Sequence, residues 1–327
     1  MRFPLLAILA ITFPVLAGVA SAASVGFQMV SIPDGAGPPI EAGIWYPTDA
    51  ATQPTRIELF MQDVAPGAPV KGAPLPLVVM SHGTGGSFAS HIDTAYALAS
   101  QGFIAAALTH TGDNYRDQSK AVAIADRPRQ LKVLIDYMTR DWPAHAADPG
   151  RIGAFGFSAG GFTVLAAAGG NPDLSLIRRH CEAHPDFFDC RLVARHGGAP
   201  LVPAAPAQVI SHDARIRALV VAAPALGFTF AGNGLGSVTL PVQLWRAAAD
   251  QILPQPFYAE AVLKTLPRTP EYHVVEHAGH FDFLTPCSPA LEKVAAAICG
   301  SEPGFDRAAF HESFNAAVVK FFRGALS

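Results

Sequence analysis

Charge is what this sequence has least of. Charged residues fill 15% of its 327 positions, and the net charge is −3. No block of like charge appears, so the chain offers no basic face for a nucleic-acid backbone. Long apolar runs are equally scarce: beyond residue 22 no stretch is long and apolar enough to span a bilayer. Cysteines number only four, and none of their spacings is the C-x-x-C of a zinc site. No internal repeat is visible. What is plentiful is apolar content. Half the residues are hydrophobic, enough to build the core of one large α/β domain or two small ones.

The first residues read as a leader rather than as part of the fold. Arg2 supplies a short positive region, Leu5 to Ala17 an apolar stretch interrupted by Pro14, and Ala20-Ser21-Ala22 the small residues a signal peptidase accepts. Cleavage after Ala22, or after Ala23, is expected, with residues 1–22 removed and residues 23–327 left as one domain. No cysteine follows the site, so a lipid anchor is not expected, nor stable membrane insertion after processing. The expected location is periplasmic or secreted. The cysteines fit that compartment, because they fall as two local pairs, Cys181 with Cys190 and Cys287 with Cys299. Four cysteines allow three connectivities; the local one closes two short loops and is preferred, with four unpaired buried thiols as the alternative.

Along the chain, Val25–Val30 and Ile40–Tyr46 read as a hairpin around Pro33-Asp34-Gly35. Residues 47–74, rich in Pro, Gly and Ala, read as an edge strand plus loop. Leu75–Met80 is a buried strand, Ile92–Gln101 a helix, Phe103–Leu108 a strand and Arg127–Arg140 an amphipathic helix. Strand rhythm returns at 151–155, 216–221, 242–245 and 272–275, and a helix covers about Phe305 to Phe322. Such alternation argues a mostly parallel sheet covered by helices on both faces. Residues 171–213 show no sustained period and read as an excursion over the sheet.

The chemistry gathers around Gly156-Phe157-Ser158-Ala159-Gly160, a G-x-S-x-G between a strand and a helix. A serine on so tight a turn projects its hydroxyl from the sheet, and glycines two residues either side keep the turn uncrowded. The free amides of the following helix N-terminus can meet an oxyanion. A serine hydroxyl needs a base, and the base an orienting acid. Asp250, just past the strand at 242–245, is the candidate acid, though the same position suits a helix N-cap. Asp282 is the second choice, lying too close behind the base to reach around it. The candidate base is His280 in Glu276-His277-Ala278-Gly279-His280-Phe281, preferred over His277 by position and order among 12 histidines. The expected oxyanion donors are the backbone amides of Ala159 and of Thr84, the latter in Ser81-His82-Gly83-Thr84-Gly85-Gly86. In His110-Thr111-Gly112-Asp113-Asn114 the two polar residues are expected to satisfy local backbone, with pocket lining as the other possibility. Phe187 and Phe188, between the first two cysteines, would either wall the pocket or pack into the core.

These segments (residues 81–86, 110–114 and 156–160, with Asp250 and Ala278-Gly279-His280-Phe281) resemble the α/β-hydrolase superfamily. Within it they resemble dienelactone-hydrolase-like proteins allied to platelet-activating-factor acetylhydrolases. The resemblance implies an α/β-hydrolase fold with an excursion over the active site, and hydrolysis of a small-molecule carboxylic ester through Ser158, His280 and Asp250 without a metal or cofactor. One departure limits it. True dienelactone hydrolases use a cysteine nucleophile, and position 158 is serine, so lactone specificity does not carry over. A lipase, polyester hydrolase or amidase with the same triad, or a binding protein on an inactive scaffold, are the rival expectations. Oligomeric state is not readable.

Overall fold

The computed structural model describes residues 23–35, 37–197 and 210–327. The expected leader, residues 1–22, and part of the excursion, 198–209, lie outside the described residues. The fold begins with the expected hairpin, β1 (Ser24–Ile32) and β2 (Ile40–Thr48), paired antiparallel from Ser24 opposite Thr48 to Ile32 opposite Ile40. Residues 47–74 differ from expectation by forming a hairpin of two strands, β3 (Gln53–Ile57) and β4 (Phe60–Pro66), with the turn at Glu58 and Leu59. Glu58 takes φ +50°, a left-handed turn that no Gly or Asn announces in the sequence.

The alternating part follows: β5 (Leu75–Ser81), α1 (Ile92–Ser100), β6 (Ile104–Leu108), α2 (Arg127–Asp136), β7 (Ala147–Phe157) and α3 (Ala159–Ala167). After it come α4 (Leu176–Ala183), α5 (Phe188–Arg195), β8 (Ile216–Ala222), β9 (Val242–Ala247), α6 (Ala259–Thr265), β10 (Glu271–Val275), α7 (Pro289–Ala295) and α8 (Arg307–Ala325). The sheet runs β10-β9-β8-β7-β5-β6-β2-β1-β4-β3. Its six strands from β10 to β6 are parallel, with β2 antiparallel to β6.

Side-chain alternation decides which helix lies on which face. In β5, Leu77 and Val79 point into a core shared with Leu131 and Leu134 of α2 and Val164 and Leu165 of α3. Val78 and Met80 point the other way, to Ile92 and Leu98 of α1 and to Phe314, Val318 and Phe322 of α8. The sheet is thus covered on both sides. Each fully buried ring, Phe314 and Phe322 among them, contributes about 1.5–3 kcal/mol relative to exposure. Among the described residues no helix is long and apolar enough to cross a membrane.

The excursion is more regular than its sequence suggests. It holds α4 and α5, joined by a Cys181–Cys190 disulfide. Each has eight residues, about two turns, which is too short for a period to show against polar connecting segments. The second disulfide joins Cys287 and Cys299, so both pairs are the local ones.

Candidate active site

Three segments at the sheet's carboxyl edge carry the site. Ser158 follows β7, Asp250 follows β9, and His280 follows β10. His280 Nε2 lies 3.1 Å from Ser158 Oγ, and His280 Nδ1 lies 2.8 Å from Asp250 Oδ2. The other oxygen, Asp250 Oδ1, accepts from the backbone N–H groups of Ile252 (3.0 Å) and Leu253 (2.8 Å), which fixes the carboxylate's rotation. All three side chains are buried. Asp250 therefore binds the backbone of its own turn and holds the imidazole at once, but it is not a helix N-cap: the next helix, α6, begins at Ala259 behind Tyr258.

Ser158 sits at φ +56°, ψ −119°. A non-glycine residue in that region stores on the order of 1–3 kcal/mol. The turn holds it there: Ser158 N–H donates to Ala222 O, and its C=O accepts from Gly161 and Ala225. The glycines are needed for a backbone reason. A Cβ at Gly156 would lie 2.1 Å from Gly160 O, and one at Gly160 would lie 1.9 Å from Ser81 O. The second contact shows why the elbow and the 81–86 loop are neighbours: the helix start presses directly onto the end of β5.

Thr84 and Ala159 line one cleft with Ser158, a narrow space of about 40 Å³. Behind Thr84 the loop is tied down by a buried polar network. His82 Nε2 accepts from the His110 N–H at 2.9 Å, so Nδ1 carries the hydrogen and donates to Gly83 O at 2.6 Å. His110 Nδ1 donates to Gln130 Oε1 at 3.0 Å, and its Nε2 accepts from Ser81 Oγ at 2.8 Å. Both rings are neutral by this pairing. Burial, reinforced by the Arg127 guanidinium, also pushes both well below the usual imidazole value. Arg127 donates to His82 O, to Thr163 Oγ1 at 3.1 Å and to the carboxylate of Asp113, whose other oxygen accepts from Gly85 N at 3.0 Å. Asp113 is thus not a local turn residue, as the sequence suggested, but half of a buried ion pair. Asn114 does serve local backbone, at Arg116 and Asp117.

Residues 64–186 match the model of the dienelactone hydrolase family. The structure is similar to that of a ferulic acid esterase from Streptomyces cinnamoneus, with a TM-score of 0.64 and 19% identity over 95% of this chain and 92% of that one. The chain has the α/β-hydrolase fold. No curated protein matches its sequence. The matched family segment contains the elbow and the 81–86 loop and ends before Asp250 and His280.

In this fold the turn bearing His280 is clamped from behind. Asp282, the alternative acid, faces away from the imidazole. Its Oδ2 accepts from Gly279 N at 2.7 Å, and its Oδ1 accepts from Arg307 Nε at 2.9 Å and from Ser301 Oγ. His311 donates through Nε2 to Asp282 O at 2.9 Å. Phe283 packs against Phe310 and Phe314 of α8. His277, the alternative base, is exposed.

The roof of the cleft is α4 and α5. Ile177, Phe188 and Leu192 face Ser158 across it. Phe187 instead stacks on His184 (4.6 Å, 12°) and packs near Phe257. The two adjacent phenylalanines thus divide the two roles weighed for them. Sequence reasoning missed Arg127, Asp189 and Tyr258, each an isolated polar residue with no motif around it. His180, Asp189 and Cys190 bring ligand atoms within 4.8 Å of one another, but Cys190 sulfur is bonded to Cys181 and offers no thiolate to a metal.

Proposed function

We propose that this protein is an exported serine hydrolase that cleaves small carboxylic esters. The observation that carries the reading is the continuous hydrogen-bonded chain from Ser158 Oγ through His280 to Asp250 at the head of α3. The family match and the esterase of similar fold support hydrolysis as the reaction class. The two disulfides are compatible with export.

In this reading Ser158 Oγ attacks the acyl carbonyl carbon while His280 Nε2 takes its proton. The carbonyl oxygen becomes an oxyanion held by the Ala159 and Thr84 amides. Collapse of the tetrahedral species breaks the bond to the alcohol, which leaves with the proton from His280. Water then repeats the sequence on the acyl-enzyme, and the acid departs. Asp250 fixes the tautomer that places the lone pair on Nε2 and stabilises the imidazolium between steps. The narrow cleft favours short acyl groups.

Ser158→Ala and His280→Ala are each expected to abolish most turnover of p-nitrophenyl esters with circular dichroism unchanged. Asp250→Asn is expected to lose on the order of 10⁴ in rate. Near-normal activity in Asp250→Asn would move the acid elsewhere. Labelling of Ser158 by a fluorophosphonate separates an active hydrolase from an inert scaffold. For export, mass spectrometry of the secreted or periplasmic protein is expected to find a mature start near Ala23 and no alkylatable thiol. Free thiols or a retained leader would defeat that part.

A further inference from the structure

One polar side chain in the cleft has no part in the steps above. Asp189, on the first turn of α5, lines the same space as Ser158 among almost wholly apolar neighbours. It is 7% exposed. A carboxylate there is costly unless it is paired or fully hydrogen-bonded. Its donors are few: the backbone N–H of Cys190 at 3.0 Å, its own backbone N–H, and Tyr258 OH, 3.0 Å from each oxygen. Tyr258 has one hydrogen and gives it to Asp189, so it accepts from His180 Nε2, 3.2 Å away. The relay from His180 through Tyr258 ends on the carboxylate, which only receives.

Three neutral donors leave one place open, since an ionised carboxylate offers about four acceptor sites. Among the described residues no cation completes the set. The nearest basic group, His180 Nε2, is 3.9 Å from Asp189 Oδ2, and burial pushes that ring down to about 4, so it is neutral at ordinary pH. Burial in turn pushes the Asp189 carboxyl up. The disulfide at the adjacent Cys190 fixes α5 to α4, holding this under-filled acceptor against the cleft.

We infer that Asp189 is the specificity-determining residue of the acyl subsite, and that the acyl groups it selects are short and carry a hydroxyl. The inference rests on the serine-hydrolase reading above. A hydroxyl supplies the missing donor and is less costly than an ammonium to bring into an apolar cleft. A substrate lacking the hydroxyl leaves the carboxylate under-satisfied when the acyl group displaces water.

The test compares kcat/KM for p-nitrophenyl butyrate, 3-hydroxybutyrate and 3-aminobutyrate. Wild type is expected to prefer the hydroxy ester by about ten-fold or more over the unsubstituted one. Asp189→Asn, which still offers Tyr258 an acceptor, is expected to lower that ratio by about ten-fold. Tyr258→Phe removes the link between α5 and the body of the protein but leaves the carboxylate, and is expected to keep the preference. No preference in wild type, or an unchanged ratio in Asp189→Asn, would overturn the inference while leaving the hydrolase reading intact. A preference for the amino ester would overturn the choice of hydroxyl. Failure to turn over any ester, with no fluorophosphonate labelling of Ser158, would overturn both readings.

Discussion

Replacing Arg127 by methionine strands a charge. The guanidinium and the Asp113 carboxylate are 3% and 4% exposed, and they face each other at the back of the 81–86 loop. Methionine fills much of the side-chain volume but leaves Asp113 with the Gly85 amide as its remaining donor among the bonds described. Breaking a buried pair from one side costs about 3–5 kcal/mol, because the surviving ion is neither hydrated nor neutralised. His82 O and Thr163 Oγ1 lose donors as well. Against a typical total of about 5–15 kcal/mol, that is a large share of stability. Urea denaturation followed by circular dichroism measures it. Asp113→Asn in the same chain removes the stranded charge, so the double variant is expected to be more stable than Arg127→Met alone by about 2 kcal/mol or more. A single variant within about 1 kcal/mol of wild type, or a double variant no better than the single, would refute the view that this pair is a closed electrostatic unit.

Stability is expected to fall as pH drops below 6.5. His82, His91 and His110 are buried, and burial pushes all three down, His91 to about 3. The unfolded chain therefore binds protons in this window that the native state refuses, and each ring adds a slope of about 1.4 kcal/mol per pH unit. They outnumber Glu58 and Asp189, the acids near the site that burial pushes up. Urea midpoints at pH 7.5 and 5.5 check this, and an unchanged or higher midpoint at pH 5.5 would contradict it. Phe188→Ala is expected to raise the rate ratio of long to short acyl esters by opening the cleft, whereas Phe187→Ala is expected to lower the melting temperature without moving that ratio. Equal effects from the two would show that they do not divide the roles as their contacts indicate.

The alternating core of the fold could be read from the sequence because its elements are regular and apolar. The central strands β5, β6 and β8 are short runs rich in Val, Ile, Leu or Ala bounded by turn residues, as in Leu75–Ser81. The elbow was legible for a different reason: two glycines flanking a serine state a backbone requirement, and the clashes at Gly156 and Gly160 show how strict it is. Asp250 and His280 could be found by order and by strand ends. What stayed hidden depends on contacts distant in sequence. Arg127 meets Asp113 across 14 residues, and Tyr258 meets Asp189 across 69. No periodicity reports such pairs. Helices α4 and α5 are two turns each and draw their order from a cross-link and from the surface they cover, so local pattern shows little of them. The strand β3 escaped because its burial is slight, with three of its five residues exposed.

The clamp behind His280 has a consequence for the order in which the protein becomes competent. Asp282 ties the His280 turn to Ser301 and Arg307, and Asp282 O is met by His311. All of these lie downstream of the turn that they secure. A ribosome therefore completes Ser158, Asp250 and His280 while the turn that aims the imidazole still lacks its counterpart. A chain stopped at residue 300 would contain every group assigned to the chemistry and none of α8. The turn that aims the imidazole is therefore braced by a helix whose own side chains have no part in the proposed chemistry.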